Sequence, residues 1–175
     1  MTMTLAELNA LCDKEAAAAL QGLYEHSPWI AERAVAARPF ASVSHLKQSL
    51  VDAVEQGDHA AQLALLRAHP QLAGKAMVAG TLTAESTDEQ TRSGLTHCSP
   101  EQFARLHALN EAYDQRFGWP FILAVRGPTG LGLARGEIIA AFERRVLAEP
   151  EAEFAECLRN VHRIAELRLA DRLTG

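Results

Sequence analysis

Apolar residues recur at steps of three and four along most of the chain, and Gly, Pro, Ser, Thr and Asp fall between the apolar stretches at positions that start or stop helices. Thr4 and Glu7 have capping-box spacing, which places the first helix start at Leu5. Asp13 is positioned to cap an Ala-rich segment expected to reach about residue 25. Ser27-Pro28 supplies an N-cap and a proline at the first helical position; the helix carrying Trp29, Ile30 and Val35 must stop before Pro39. Ser44 is expected to open the next helix, with Leu46, Leu50 and Val54 on one face and Gly57 as its stop. Asp58 caps residues 59–68, whose apolar positions are Leu63, Leu65 and Leu66, and Pro70 forbids continuation.

A Gly- and Ala-rich connection over residues 74–80 follows, permissive of a tight return and of close backbone approach to a small ligand. Ser86-x-x-Glu89 is expected to open a short helix ending near Gly94. Ser99-Pro100-Glu101-Gln102 opens a long one in which Phe103, Leu106, Asn110, Tyr113 and Phe117 share a face, ended by Gly118 and Pro120. The apolar run Phe121, Ile122, Leu123, Ala124, Val125 reads as a buried extended segment with no evident partner strand, and residues 126–130 as a turn. Two further helices are expected, from about residue 133 to 148 and from about 151 to 173. The fold expected is all-α, one domain over residues 1–175, a bundle of about eight or nine helices.

Composition narrows the partners. The net charge of −5 and the lack of a basic stripe argue against nucleic acid and anionic membranes. No apolar run approaches the roughly 18 residues of a membrane span. Cys12, Cys98 and Cys157 are scattered without a CxxC pair, which suits a reducing compartment rather than a disulfide framework. The first residues lack signal-peptide character and the last three are no peroxisomal address, so a cytoplasmic protein is expected.

Several residues invite a chemical reading beside a structural one. His69 stands where a helix must stop: it either interacts with the helix C-terminal carbonyls or, with its near-neutral pKa, carries a proton for a substrate. Glu89 satisfies the Ser86 amide in a capping box, while the Ser86 hydroxyl, the Gln90 amide and the free backbone N–H groups of the helix start are placed to recognise a carboxylate or ureido group; the two readings are compatible. Arg126 is a loop cation or a carboxylate clamp, and Arg163 a solvated cation or a ligand for an anionic substrate. Arg168, on the apolar side of its helix, calls for a buried or interfacial partner. His107-x-x-x-Glu111 and His162-x-x-x-Glu166 are two-ligand pairs, short of the set zinc needs, so no metal site is expected. Gly130-x-Gly132 lacks the strand-turn-helix context of a dinucleotide loop.

Four motifs in order then carry a resemblance: His69-Pro-x-Leu-Ala-Gly-Lys75; Leu82-Thr-x-Glu-Ser86-x-x-Glu89-Gln90; Leu109-Asn-x-x-Tyr113-x-x-x-Phe117-Gly-x-Pro-Phe121-Ile; and Val161-x-Arg163-Ile-Ala-x-x-Arg168-Leu. Together, from about Pro28 to Leu173, the chain resembles the 2-oxo-4-hydroxy-4-carboxy-5-ureidoimidazoline (OHCU) decarboxylases, which form (S)-allantoin late in urate breakdown. The resemblance implies an all-α enzyme, commonly a homodimer, with neither metal nor organic cofactor. It implies that His69 is catalytic and Glu89 its partner carboxylate. Pro70, Ser86 and Gln90 would contact substrate, backbone groups of Phe121, Ile122, Leu123, Ala124 and Val125 would hold it, and Arg163 would meet its carboxylate. Arg126 is added from the residues alone. Without the peroxisomal tripeptide of eukaryotic members, and without a fused transthyretin-like domain, the chain is expected to be a bacterial cytoplasmic enzyme. Two other classes compete: a helical protein–protein adaptor, and a metal-dependent helical hydrolase built on His107 and Glu111 or on His162 and Glu166.

Overall fold

Nine α-helices hold most of the described residues of the computed structural model, which are 2–72, 74, 83–92 and 94–174, with the backbone alone at 92 and 96. The protein is therefore all-α, as its periodicity predicts, apart from a two-residue parallel pair in which Met3 faces Leu173 and Thr4 faces Thr174. The return between the first two motifs, with Ala73, Lys75, Gly80 and Leu82, lies outside the described residues. The chain divides into two compact units, Met1–Ala68 with His162–Gly175, and His69–Val161.

The first unit contains α1 (Leu5–Ala10), α2 (Asp13–Ala19), α3 (Pro28–Ala34), α4 (Val43–Glu55), α5 (His59–Arg67) and the last turns of α9 (Pro150–Arg172). The Thr4–Glu7 capping box closes on both sides, and the Asp58 carboxylate accepts the Ala61 N–H at 2.8 Å. Three expectations need correction. Asp13 is the first helical residue, and the cap position belongs to Cys12. The Ala-rich helix stops at Ala19 rather than near residue 25, because Gly22 turns the backbone to φ 81°, where a helix cannot continue. α4 starts at Val43, because the Ser42 hydroxyl, not Ser44, accepts the His45 N–H at 3.1 Å. Arg168 has the buried partner its position demands: it donates to Glu25 Oε1 at 2.8 Å and to the Gly22 carbonyl at 2.9 Å.

The second unit contains α6 (Ala84–Arg92), α7 (Pro100–Phe117), α8 (Arg135–Arg145) and the first turns of α9. Ser99 and Gln102 cap α7 reciprocally, and Gly118 closes it. Of the face predicted for α7, Leu106, Asn110, Tyr113 and Phe117 are buried, but Phe103, in the first turn, is exposed. Phe121 stacks on Phe142 at 3.8 Å between ring centroids, and Tyr113 meets both rings edge-on. Within this apolar setting Arg145 and Glu153 form a fully buried ion pair. Glu153 Oε1 accepts from Arg145 Nη2 at 2.6 Å and from the Tyr113 hydroxyl at 2.5 Å, so the charges are paired and hydrogen-bonded as burial requires.

Candidate functional site

His69 is buried just past α5, whose C-cap is Ala68. The residues after it are anchored to α7. Asn110 Nδ2 donates to the Leu72 carbonyl at 3.0 Å, and the Gln71 side-chain amide donates to the Asp114 carboxylate. Asn110 and Asp114 lie one helical turn apart, so two adjacent bonds fix this short stretch against one helix face. Burial pushes the Asp114 carboxyl up, and the bond from Gln71 opposes the shift. A side chain at Gly74 would bring its Cβ to 2.7 Å from Gln71 Cβ, so glycine is what fits there without a shift.

The second group sits on α6. This helix starts at Ala84, three residues before the start expected from Ser86-x-x-Glu89. The Thr83 hydroxyl accepts the Ser86 N–H at 3.2 Å, and the Thr83 carbonyl accepts the Thr87 N–H at 2.9 Å. Thr83 is thus the cap, Ser86 the third helical residue, and Glu89 lies in the second turn, where it cannot serve as the capping partner of Ser86. The Ser86 N–H, expected to be satisfied by Glu89, is committed to Thr83 instead. Glu89 has a different position to explain. Ser86, Glu89 and Gln90 stand at i, i+3 and i+4, hence on one face, and that face is buried: their exposures are 4%, 8% and 3%, beside 7% for His69. Polar and charged side chains are seldom buried to this degree.

Residues 121–126 form the third group. They are irregular, and Phe121, Ile122, Ala124, Val125 and Arg126 are buried, with Leu123 half-buried. Their backbone is held at named atoms. The Ile122 carbonyl accepts from Arg145 Nη1 at 2.6 Å, and the Ala124 N–H donates to Asn160 Oδ1 at 3.0 Å. The Val125 and Arg126 carbonyls accept from the Leu133 and Gly132 N–H groups at 2.7 and 2.8 Å. These partners replace the missing strand. Arg126 Nε bonds the Gly130 carbonyl of its own loop at 3.2 Å.

His69, Pro70, Ser86, Glu89, Gln90 and residues 121–126 all belong to the second unit. Arg163 belongs to the first, on α9, where Nη1 donates to Glu166 Oε1 at 3.0 Å and Lys47 approaches the same oxygen at 3.4 Å. His162 does not pair with Glu166 as its spacing suggested; Nδ1 meets the Tyr24 hydroxyl at 2.9 Å, and burial pushes its pKa down. Among the described residues no three His, Cys, Asp or Glu side chains group to hold a metal ion. Sequence reading missed Asn160, Arg145 and Thr83. Arg145 had a signal, since Ile138, Phe142 and Arg145 recur at steps of four and three on one buried face.

Comparison with known proteins agrees with the motifs. The OHCU decarboxylase family model matches residues 9–170. The chain is 42% identical over 173 residues to the 2-oxo-4-hydroxy-4-carboxy-5-ureidoimidazoline decarboxylase of Haloferax volcanii, covering 99% of this chain and 98% of that one. Its likeness to the Mus musculus decarboxylase of the same name is 34% over 171 residues, covering 98% and 93%. Among solved structures it is similar to (S)-allantoin synthase, with a TM-score of 0.78 at 30% identity, covering 98% of this chain and 54% of that one.

Proposed function

We infer the chemistry from membership: this chain belongs to the OHCU decarboxylase family, and its reaction is the decarboxylation of OHCU to allantoin in urate degradation. The substrate carries a hydroxyl and a carboxylate on one ring carbon, beside a carbon bonded to ureido and engaged in C=N. When the bond to CO2 breaks, its electron pair forms a C=C bond with the neighbouring carbon, and the C=N pair moves to nitrogen, which takes a proton. The hydroxyl then loses its proton to become the ring carbonyl, and the neighbouring carbon gains one. The electron sink lies in the substrate, so we assign the reaction neither metal nor organic cofactor.

The protein's tasks are orientation and proton transfer. We assign proton transfer to His69, with Glu89 setting its charge or binding the ureido group. Pro70, Ser86, Gln90 and backbone groups of residues 121–125 orient the ring, Arg163 meets the carboxylate, and Arg126 is a second cation assigned to substrate binding. Delivery of the last proton from one face makes the product (S)-allantoin. The whole chain acts as one catalytic domain, and we assign it a cytoplasmic homodimer.

One observation carries the site assignment: four polar side chains, His69, Ser86, Glu89 and Gln90, are buried in one unit, three of them on a single helix face. The test is loss of freshly prepared OHCU and release of CO2. The parent is expected to accelerate both, and Glu89→Gln to slow them about a hundredfold or more. Parent-like turnover by Glu89→Gln would remove Glu89 from the machinery. An unchanged OHCU decay with the parent would remove the reaction.

A further inference from the structure

We propose that Asn160 is a positioning residue for this reaction, acting through the backbone of the substrate-holding segment. The inference rests on the reading that residues 121–125 orient the substrate by their main chain. Asn160 lies on α9, half-buried. Its Nδ2 donates to the Glu156 carbonyl at 2.9 Å, one turn back on the same helix. That bond fixes which way the amide faces, and leaves Oδ1 to accept the Ala124 N–H at 3.0 Å. On the other side of Leu123, the Ile122 carbonyl is held by Arg145 Nη1 at 2.6 Å, and Arg145 is locked by Glu153. Leu123 is therefore clamped at the residue before it and at the residue after it, each time by a side chain from a helix.

The two clamps define what remains. Among the described residues no hydrogen bond within the protein uses the backbone of Leu123, which is half-buried. An irregular backbone has no ladder to fix it, so its direction is set by whatever holds its neighbours. Arg145 does this as part of a buried charge pair whose loss threatens the fold. Asn160 does it with a neutral amide, and so its contribution to substrate placement can be separated from its contribution to stability.

The experiment compares Asn160→Leu, which removes both amide bonds at similar size, with Asn160→Asp, which keeps an acceptor for the Ala124 N–H. Kinetics on fresh OHCU are measured beside the parent and His69→Asn. Asn160→Leu is expected to raise KM about tenfold with kcat little changed, and Asn160→Asp to restore most of the parent KM. Should Asn160→Leu fail to fold, Asn160→Ala, which favours helix, is read the same way. A parent-like KM in the Leu or Ala variant overturns the proposal, as does an Asp variant as impaired as the Leu variant. If the parent turns OHCU over and His69→Asn does not, those outcomes count against Asn160 alone. A parent that does not act on OHCU removes the proposal together with the reaction it rests on.

Discussion

Asn110 donates its side-chain amide to the carbonyl of Leu72, three residues past His69, at 3.0 Å. The bond ties the stretch carrying the histidine to the middle of α7, and the Asn110 Oδ1 is itself buried without a hydrogen-bond partner among the described residues. Asn110→Leu leaves the Leu72 carbonyl without its donor. The expected cost is about 1–3 kcal/mol, read as a lower denaturant midpoint, with a fall in kcat/KM beyond what the lost folded fraction explains. A variant that loses stability but keeps the parent kcat/KM at full folding would show that the anchor does not serve His69.

The cap of α6 gives a second prediction. Thr83, not the Ser86–Glu89 pair, satisfies the first turn. Thr83→Ala is expected to cost about 1 kcal/mol, read as a lower Tm. Glu89→Gln removes no cap bond, and its main effect is expected on turnover. The reverse pattern, a Tm loss at Glu89 with activity kept, would restore Glu89 to a capping role.

Arg145 and Glu153 supply the third. Arg145→Met strands a buried carboxylate and is expected to cost about 3–5 kcal/mol. Arg145→Met with Glu153→Leu removes both charges and should recover much of that loss. The remaining deficit belongs to the Ile122 carbonyl, which loses Arg145, and to the Tyr113 hydroxyl, which loses Glu153 and keeps Cys157 and Trp119. Equal instability of the single and double variants in thermal unfolding would deny the ion pair its place in holding the segment.

The fourth concerns pH. Burial holds the His162 imidazole below its ordinary value of about 6.5, while the unfolded chain protonates near that value. Between the two pKa values the unfolded state binds more protons, so stability rises with pH across the window. His162's contribution is complete above about pH 6.5 and is lost progressively as pH falls toward its folded pKa. His162→Gln keeps an acceptor for the Tyr24 hydroxyl and does not titrate. Its Tm is expected to fall less than the parent's from pH 7 to 5, and identical slopes would contradict the assignment.

The sequence made local features readable where one hydrogen bond decides them. Thr4, Asp58 and Ser99 cap the helices that their spacing indicates. It misled at α6 because two such patterns overlap: Thr83 and Ser86 each precede a polar residue by three, and the choice depends on where the helix axis begins. The polar face of Ser86, Glu89 and Gln90 was visible as a motif, but its burial was not, since burial is decided by distant parts of the chain. The same holds for the Tyr113–Glu153 contact, which spans forty positions, and for the Asn160–Ala124 bond, which spans thirty-six.

Circular dichroism of the product tests the central claim most directly, because uncatalysed decay of OHCU gives racemic allantoin whereas proton delivery from one face gives a single enantiomer. Parent protein mixed with fresh OHCU is predicted to build a dichroic signal of one sign. His69→Asn, with parent-like helicity and Tm, is predicted to give racemic product at close to the uncatalysed rate. A single enantiomer from His69→Asn at near the parent rate would contradict the assignment of proton transfer to the imidazole.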